Sequence, residues 1–119
     1  MKHLLKIFAV LFVATLIAPS SAYSYVDKDV AVLRALNKAA GKTQIVRAAV
    51  GQQTNIDKLT LTVRSCKQTD PFDAENHYAF VEIADPALGQ IYGGWMNKNE
   101  PGQNPLQSAD WDIWLVACE

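Results

Sequence analysis

The sequence predicts an all-β fold, a small antiparallel sandwich or barrel of about six or seven strands preceded by a cleaved signal peptide. Three observations carry that reading. Apolar and polar residues alternate with period two over 59–66, 78–84 and 111–118. Turn-forming pairs, Gly51-Gln52, Asp70-Pro71 and Asp85-Pro86, stand between the apolar runs. The chain has 119 residues. Removal of the leader leaves about 97, room for one small domain and no more.

Residues 1–22 read as the leader. Lys2, His3 and Lys6 form a positive start, 7–18 are apolar except for Thr15, and Pro19, Ser20, Ser21 and Ala22 form a small-residue exit. Ser20 and Ala22 fit the small-residue positions of a cleavage site, so the cut is placed after Ala22. The apolar run is too short to span a bilayer comfortably, which favours a cleaved leader over a retained anchor. No Cys follows it, which argues against a lipid-anchored form. No second apolar run of spanning length occurs. The mature chain is therefore expected to carry no membrane span and to reside in the periplasm or outside the cell. The whole chain carries 11 Lys and Arg against 12 Asp and Glu, net −1. Loss of Lys2 and Lys6 takes the 11 to 9 against the same 12, net −3, and leaves no basic excess for a nucleic-acid backbone.

The elements run in order along the chain. Residues 23–29 are polar and without period, a tether ahead of a single β-domain at 30–119. Residues 30–40 admit two readings. Val30, Leu33, Leu36 and Ala40 fit a helical stripe, with Asp29 as cap and Gly41 as stop. Read as a strand, the same residues alternate, and residues 37–41 become a hairpin loop with Gly41 in the left-handed position, leading to a partner strand with Ile45, Val46 and Val50. The pattern alone leaves this open. Leu59, Leu61 and Val63 alternate with Thr60, Thr62 and Arg64, and this strand ends at Cys66. Residues 67–76 are polar and read as a loop. In 78–84, Ala79, Val81 and Ile83 share one face, while Tyr78, Phe80 and Glu82 share the other. Residues 91–96 form a short strand in which Gly93-Gly94 marks a bulge or a close backbone approach. Residues 97–109, with Pro101, Gly102 and Pro105, form a long loop. In the last strand, 111–118, Trp111, Ile113 and Leu115 oppose Asp112, Trp114, Val116 and Cys118. Leu61, Val63, Val81, Ile83, Ile113 and Leu115 are the expected core.

Cys66 and Cys118 both fall in the mature part. An exported chain with an even, minimal count reads most simply as holding one disulfide. There is no C-x-x-C pair, and His77 is the one mature histidine, so a metal pair or a reactive thiol has no local support.

The strand ending in Cys66, the run Ala79-Phe80-Val81-Glu82-Ile83, the Gly94-Trp95-Met96 step and Trp111-Asp112-Ile113-Trp114-Leu115-Val116-Ala117-Cys118 together resemble the bacterial exported family of domain of unknown function 2155. Leu33-Arg34-Ala35-Leu36-Asn37-Lys38, Gly41-Lys42 and Val50-Gly51-Gln52 are similar to it too. The resemblance spans roughly 32–118, nearly the whole mature domain. It implies a small exported protein without an assigned activity. It also implies a hairpin turn after the early segment, and so two strands over 31–50. Three places depart from the family pattern: Trp111 stands where Tyr is usual, Ser108-Ala109 where a His-Pro pair is common, and Asn97 where Phe is common. No catalytic residue is carried over.

Four constellations bear on chemistry. A nucleophile needs a base, and His77 is the one such base, while Ser24, Ser65 and Ser108 lie in no Gly-flanked elbow. Asp70, Asp73, Glu75 and His77 crowd one segment and are weak metal candidates. They lack both a Gly-pivoted calcium loop and a second His for zinc. Asp110 and Asp112, with Glu82 and Glu100, are the carboxylates from which an acid–base pair would be drawn. Trp95, Trp111 and Trp114 serve either as core filling or as contact residues. Because Trp111 and Trp114 face opposite ways, one of them is expected to be partly exposed, alongside Trp95, Tyr92 or Tyr78.

The sequence therefore points to a non-enzymatic exported domain, without cofactor, that binds an envelope or secreted protein, or a saccharide, through the 93–112 region. Trp95, Trp111, Trp114, Tyr92 and Asp112 are the candidate contact residues. The alternatives are a carboxylate-based saccharide-processing enzyme and a soluble inhibitor of an exported enzyme.

Overall fold

A computed structural model describes residues 13–15 and 24–119. Apart from 13–15, the leader and its exit after Ala22 lie outside the described residues. Eight strands occur in chain order among the described residues: β1 (Tyr25–Asp27), β2 (Val30–Asn37), β3 (Lys42–Ala49), β4 (Gln53–Ile56), β5 (Leu59–Thr69), β6 (His77–Asp85), β7 (Gly89–Asn97) and β8 (Trp111–Cys118). All pair antiparallel. One sheet runs β1-β5-β6-β7 with β4 also on β5, and the other runs β3-β2-β8. The inner faces of both sheets share one apolar core. The all-β class holds, and Leu61, Val63, Val81, Ile83, Ile113 and Leu115 are all buried.

The two strands that the sequence reading does not mark, β1 and β4, are short. Residues 25–27, read as tether, form β1, with Tyr25 opposite Thr69 and Asp27 opposite Lys67. β1 is exposed along its length, so no alternation announces it, and it is held by backbone pairing together with the Tyr25 ring against Tyr78. β4 closes on β5 through the two-residue turn Asp57-Lys58. Asp57 takes a positive φ of 52° there, as a tight hairpin requires. The segment read as a loop from residue 67 is still strand to Thr69.

The open choice at 30–50 falls to two strands. β2 and β3 pair over their whole length, and Gly41 at φ 65° closes the turn between them. Asn37 secures it, its side-chain oxygen accepting from the Ala40 N–H. The alanines that give the segment a helical look have a packing role: Ala31, Ala35 and Ala48 are fully buried against the other sheet.

Strict alternation would turn both cysteines outward. Two one-residue bulges turn them in. On β5 the register passes from Val63 opposite Val81 to Ser65 opposite Phe80, leaving Arg64 unpaired. On β8 Leu115 faces Leu33 and Ala117 faces Val32, leaving Val116 unpaired. Each extra residue flips the phase of the strand beyond it, so Cys66 and Cys118 join the core. They are bonded, with Cα atoms 5.6 Å apart. The link joins the middle of the larger sheet to the edge of the smaller.

Gly93-Gly94 marks the close approach rather than the bulge. The extra residue on β7 is Ile91, between the Ile83–Tyr92 and Ala84–Gln90 pairs. A Cβ on Gly94 would displace the Asn104 amide, and one on Gly93 the Gln90 amide. These amides donate to the Trp95 and Tyr92 carbonyls on the outermost strand and so blunt an otherwise open edge.

Candidate functional site

The smaller sheet has three strands against five. The chain between β7 and β8 folds back over the core and is pinned there at several points. Leu106 is buried in the core. The Tyr92 hydroxyl donates to the Asn104 carbonyl at 2.7 Å, and Lys38 Nζ donates to the Ser108 carbonyl at 2.8 Å. The Lys38 N–H donates to the Asp110 carbonyl at 2.9 Å. Ser108 Oγ accepts from the Asp110 and Trp111 N–H groups. Residues 98–110 are thus a built wall.

That wall and β8 enclose two adjoining grooves. One, of about 350 Å³, is lined by Pro101, Gly102, Pro105, Asp112, Ile113 and Trp114. The other, of about 270 Å³, is lined by Arg34, Lys98, Pro101, Trp114, Leu115 and Val116. Trp114 and Pro101 border both. Bulge residue Val116 lines the second groove, so the irregularity that turns Cys118 inward also shapes this surface. The arrangement offers an aromatic ring, two rigid pyrrolidine rings, two cations on one side and a carboxylate on the other.

The candidate residues do not form one cluster. Asp112 and Trp114 lie together at the groove. Trp95 is 44% exposed on the outer face of the other sheet, edge-on to Phe80. Trp111, 5% exposed, and Tyr92, 8% exposed, are core residues and present no contact surface. Trp111 is in phase with Ile113 and Leu115, and the Tyr92 hydroxyl is spent on the loop, with burial raising its pKa. Of the aromatic face around Tyr25, Tyr78 and Phe80, the sequence reading names only Tyr78, as a neighbour of an exposed tryptophan, although Phe80 also stands out of phase with the apolar Ala79, Val81 and Ile83.

Three of the four weak metal candidates, Asp70, Glu75 and His77, do structural work, and among the described residues no three His, Cys, Asp or Glu side chains gather as a metal site. Asp70 accepts from the Phe72 N–H and the Ser24 hydroxyl, and these bonds, the backbone one foremost, lower its pKa. Asp73 is exposed in the same turn. His77 is buried with both ring nitrogens engaged: Nδ1 accepts from the Cys118 N–H at 2.8 Å, and Nε2 bonds Glu75 at 3.1 Å. An Nδ1 that accepts leaves the proton on Nε2, which donates to the carboxylate. Glu75 is lowered chiefly by that bond and then by the Lys98 charge. His77 therefore ties the start of β6 to β8 beside the disulfide and is no free catalytic base.

Of the four carboxylates, Glu82 stands apart from Asp112. Glu82 pairs with Arg64 at 3.1 Å beside Gln90 on the larger sheet, whereas Asp112 lines the Trp114 groove. Asp110 and Glu100 are exposed in the loop.

A family model described as an uncharacterised protein conserved in bacteria, DUF2155, matches residues 31–118. The chain belongs to the DUF2155 family. No curated protein matches it, and no solved structure does. In this DUF2155 domain the matched span runs from β2 to the end of β8 and leaves β1 outside. Residues at the three places singled out in the sequence have evident roles here. Ser108 secures the loop, Trp111 fills the core, and Asn97 Oδ1 accepts from Asn76 Nδ2 at 2.7 Å and from the Asn99 N–H at 3.1 Å.

Proposed function

We propose that this is an exported, non-enzymatic binding domain that works in the periplasm or outside the cell and takes a segment of an envelope or secreted protein into the grooves flanking Trp114. The observation that carries the reading is the pinned loop 98–110: its prolines and Trp114 form a surface held in shape before any partner arrives, which lowers the ordering cost of association. The chemistry suits a polypeptide. Trp and Pro rings supply apolar area, Arg34 and Lys98 face acidic side chains, and Asp112 faces basic ones. The leader in the sequence and the disulfide across the sheets support an exported location. Among the described residues no helix is long and apolar enough to cross a membrane. The separation of Glu82 from Asp112 weighs against the carboxylate-enzyme reading, since an acid–base pair must converge on one bond. An exported enzyme as the partner would make the domain an inhibitor through the same groove. The test is Trp114→Ala: it should abolish recovery of the partner while leaving the domain folded. Undiminished recovery would refute the groove as the contact surface.

A further inference from the structure

The outer face of the larger sheet carries a second surface that the groove at Trp114 does not explain. Four aromatic side chains stand on it: Tyr25 from β1, Tyr78 and Phe80 from β6, and Trp95 from β7. Tyr25 is 45% exposed and Trp95 is 44% exposed. Each is held edge-on by a neighbour: Tyr25 against Tyr78 with ring centres 5.7 Å apart, and Trp95 against Phe80 at 5.4 Å. Exposed rings braced in this way keep a fixed orientation and lose little freedom when something stacks on them. Tyr25, Lys67, Tyr78 and Trp95 line a groove of about 210 Å³. Tyr25 and Tyr78 also line a second, more polar groove of about 300 Å³ with Ser24, Thr69, Asp73, Asn76 and Asn99. The two adjoin at those shared tyrosines and together make up a trough. Crossing from β1 through β5 and β6 to β7 takes it over three strand spacings, about 14 Å.

The polar groups along the trough differ in what they have left to offer. Asn76 is consumed: its amide donates to the Tyr78 hydroxyl at 3.0 Å and to Asn97, while its oxygen accepts from the His77 and Asn99 N–H groups. The Tyr78 hydroxyl accepts from Asn76 and keeps its own proton to donate. Asn99 donates to the Glu75 carbonyl and keeps its side-chain oxygen as an acceptor. Lys67 stands 3.9 Å from Asp27 across an exposed gap. The trough thus presents flat rings, a phenolic donor, an amide acceptor and one cation lining it among the described residues, near Asp27 and Asp73.

We propose that this trough binds an uncharged oligosaccharide. Pyranose rings present C–H groups that stack on aromatic faces and hydroxyls that pair with phenol and amide groups, and the trough offers both kinds of partner side by side. A single lysine near carboxylates does not make a polyanion site. A peptide strand would seek an open sheet edge; in the middle of the trough β5 and β6 are paired on both sides, and at its β7 border the Gln90 and Asn104 amides occupy the Tyr92 and Trp95 carbonyls. A flat, extended β-1,4-linked chain matches a sheet face crossed over several strands.

The experiment is a titration of the exported, ¹⁵N-labelled protein with chitotriose and with cellotriose, monitored by the indole N–H signals of the tryptophans and the backbone amides. At least one sugar should shift the Trp95 indole signal and the amides of Tyr25, Lys67 and Tyr78 along a saturating curve, with the Trp114 signal unmoved. Trp95→Ala should weaken that binding by roughly tenfold or more without changing the melting temperature. Tyr78→Phe, which keeps the ring and removes the donor, should weaken it less. Absence of response to either sugar at millimolar concentration would overturn the proposal. So would shifts confined to Trp114, or binding indifferent to Trp95→Ala. A photo-crosslinker on this face that captures a protein, with the sugars silent, would show the surface to be a protein contact instead and would likewise overturn it.

Discussion

Replacing both cysteines, as Cys66→Ala/Cys118→Ala, should cost this domain a large part of its stability. The residues are 52 apart in sequence. Releasing a closed loop of that length gives the unfolded chain entropy worth about 4 kcal/mol on the chain-entropy account. Domains of this kind are held by only about 5–15 kcal/mol in total, and both sulfurs also fill core space. For a domain of this length the loss corresponds to a fall in melting temperature of about 15–30 °C. The assay is guanidinium unfolding monitored by tryptophan fluorescence, beside thermal unfolding by circular dichroism. Oxidised protein, reduced protein and the double variant would be compared at one pH. Reduced wild type and the double variant should fall together, well below the oxidised form. A loss under about 1 kcal/mol would refute the reasoning, because the two sheets would then be held by the shared core without needing the link.

The bulges make a sharper geometric prediction. Deleting Val116 removes the extra residue and leaves Leu115, Ala117 and Cys118 in regular register with Leu33, Val32 and Ala31, so the variant should keep the Cys66–Cys118 bond. Two free thiols in it by mass spectrometry would contradict the phase argument. Stability should also fall in acid. The Asp85 carboxyl is held below its ordinary range first by the Ala87 N–H, then, against the opposing effect of burial, by the Leu88 N–H and Lys58. Asp70 and Glu75 are lowered as well. A depressed folded value means that the unfolded chain binds protons more readily. The stabilisation is therefore complete above the ordinary carboxyl value of about 4 and is lost as pH falls through the folded values. Melting temperature should be flat near neutrality and drop below about pH 4. Asp85→Asn should start lower and drop less steeply, and an acid limb unchanged by that variant would count against the assignment.

Where alternation is unbroken, the sequence reads directly. Leu59-Thr60-Leu61-Thr62-Val63 and Ala79-Phe80-Val81-Glu82-Ile83 reveal strand, phase and core face because a half-buried sheet needs little else. β1 is not legible because an exposed three-residue strand has no apolar face to show. The inserted residues Arg64, Ile91 and Val116 are hidden for a related reason: a bulge is a property of two strands paired together, and no single strand records it. Trp95 and Trp114 group together in sequence because they lie close in the chain. Alternation tells which side of a strand a residue takes, but not which sheet the strand joins, so one expected surface becomes two. Asp112, Trp114 and the proline loop do meet, since β8 carries two of them and the loop leads straight into it. His77 looks like a spare base in sequence, and only the fold shows the Cys118 N–H that occupies it.

The most direct test of the account is site-specific photo-crosslinking in living cells, with the crosslinking amino acid at Gln103 in the wall of the Trp114 groove and, as control, at Thr43 on the exposed β3 strand. The account predicts one discrete protein adduct from Gln103 and none from Thr43. It also predicts loss of that adduct on Trp114→Ala, measured per folded molecule. An adduct that survives Trp114→Ala, or one formed equally from Thr43, would contradict the claim that the pinned loop and Trp114 are the working surface of this protein.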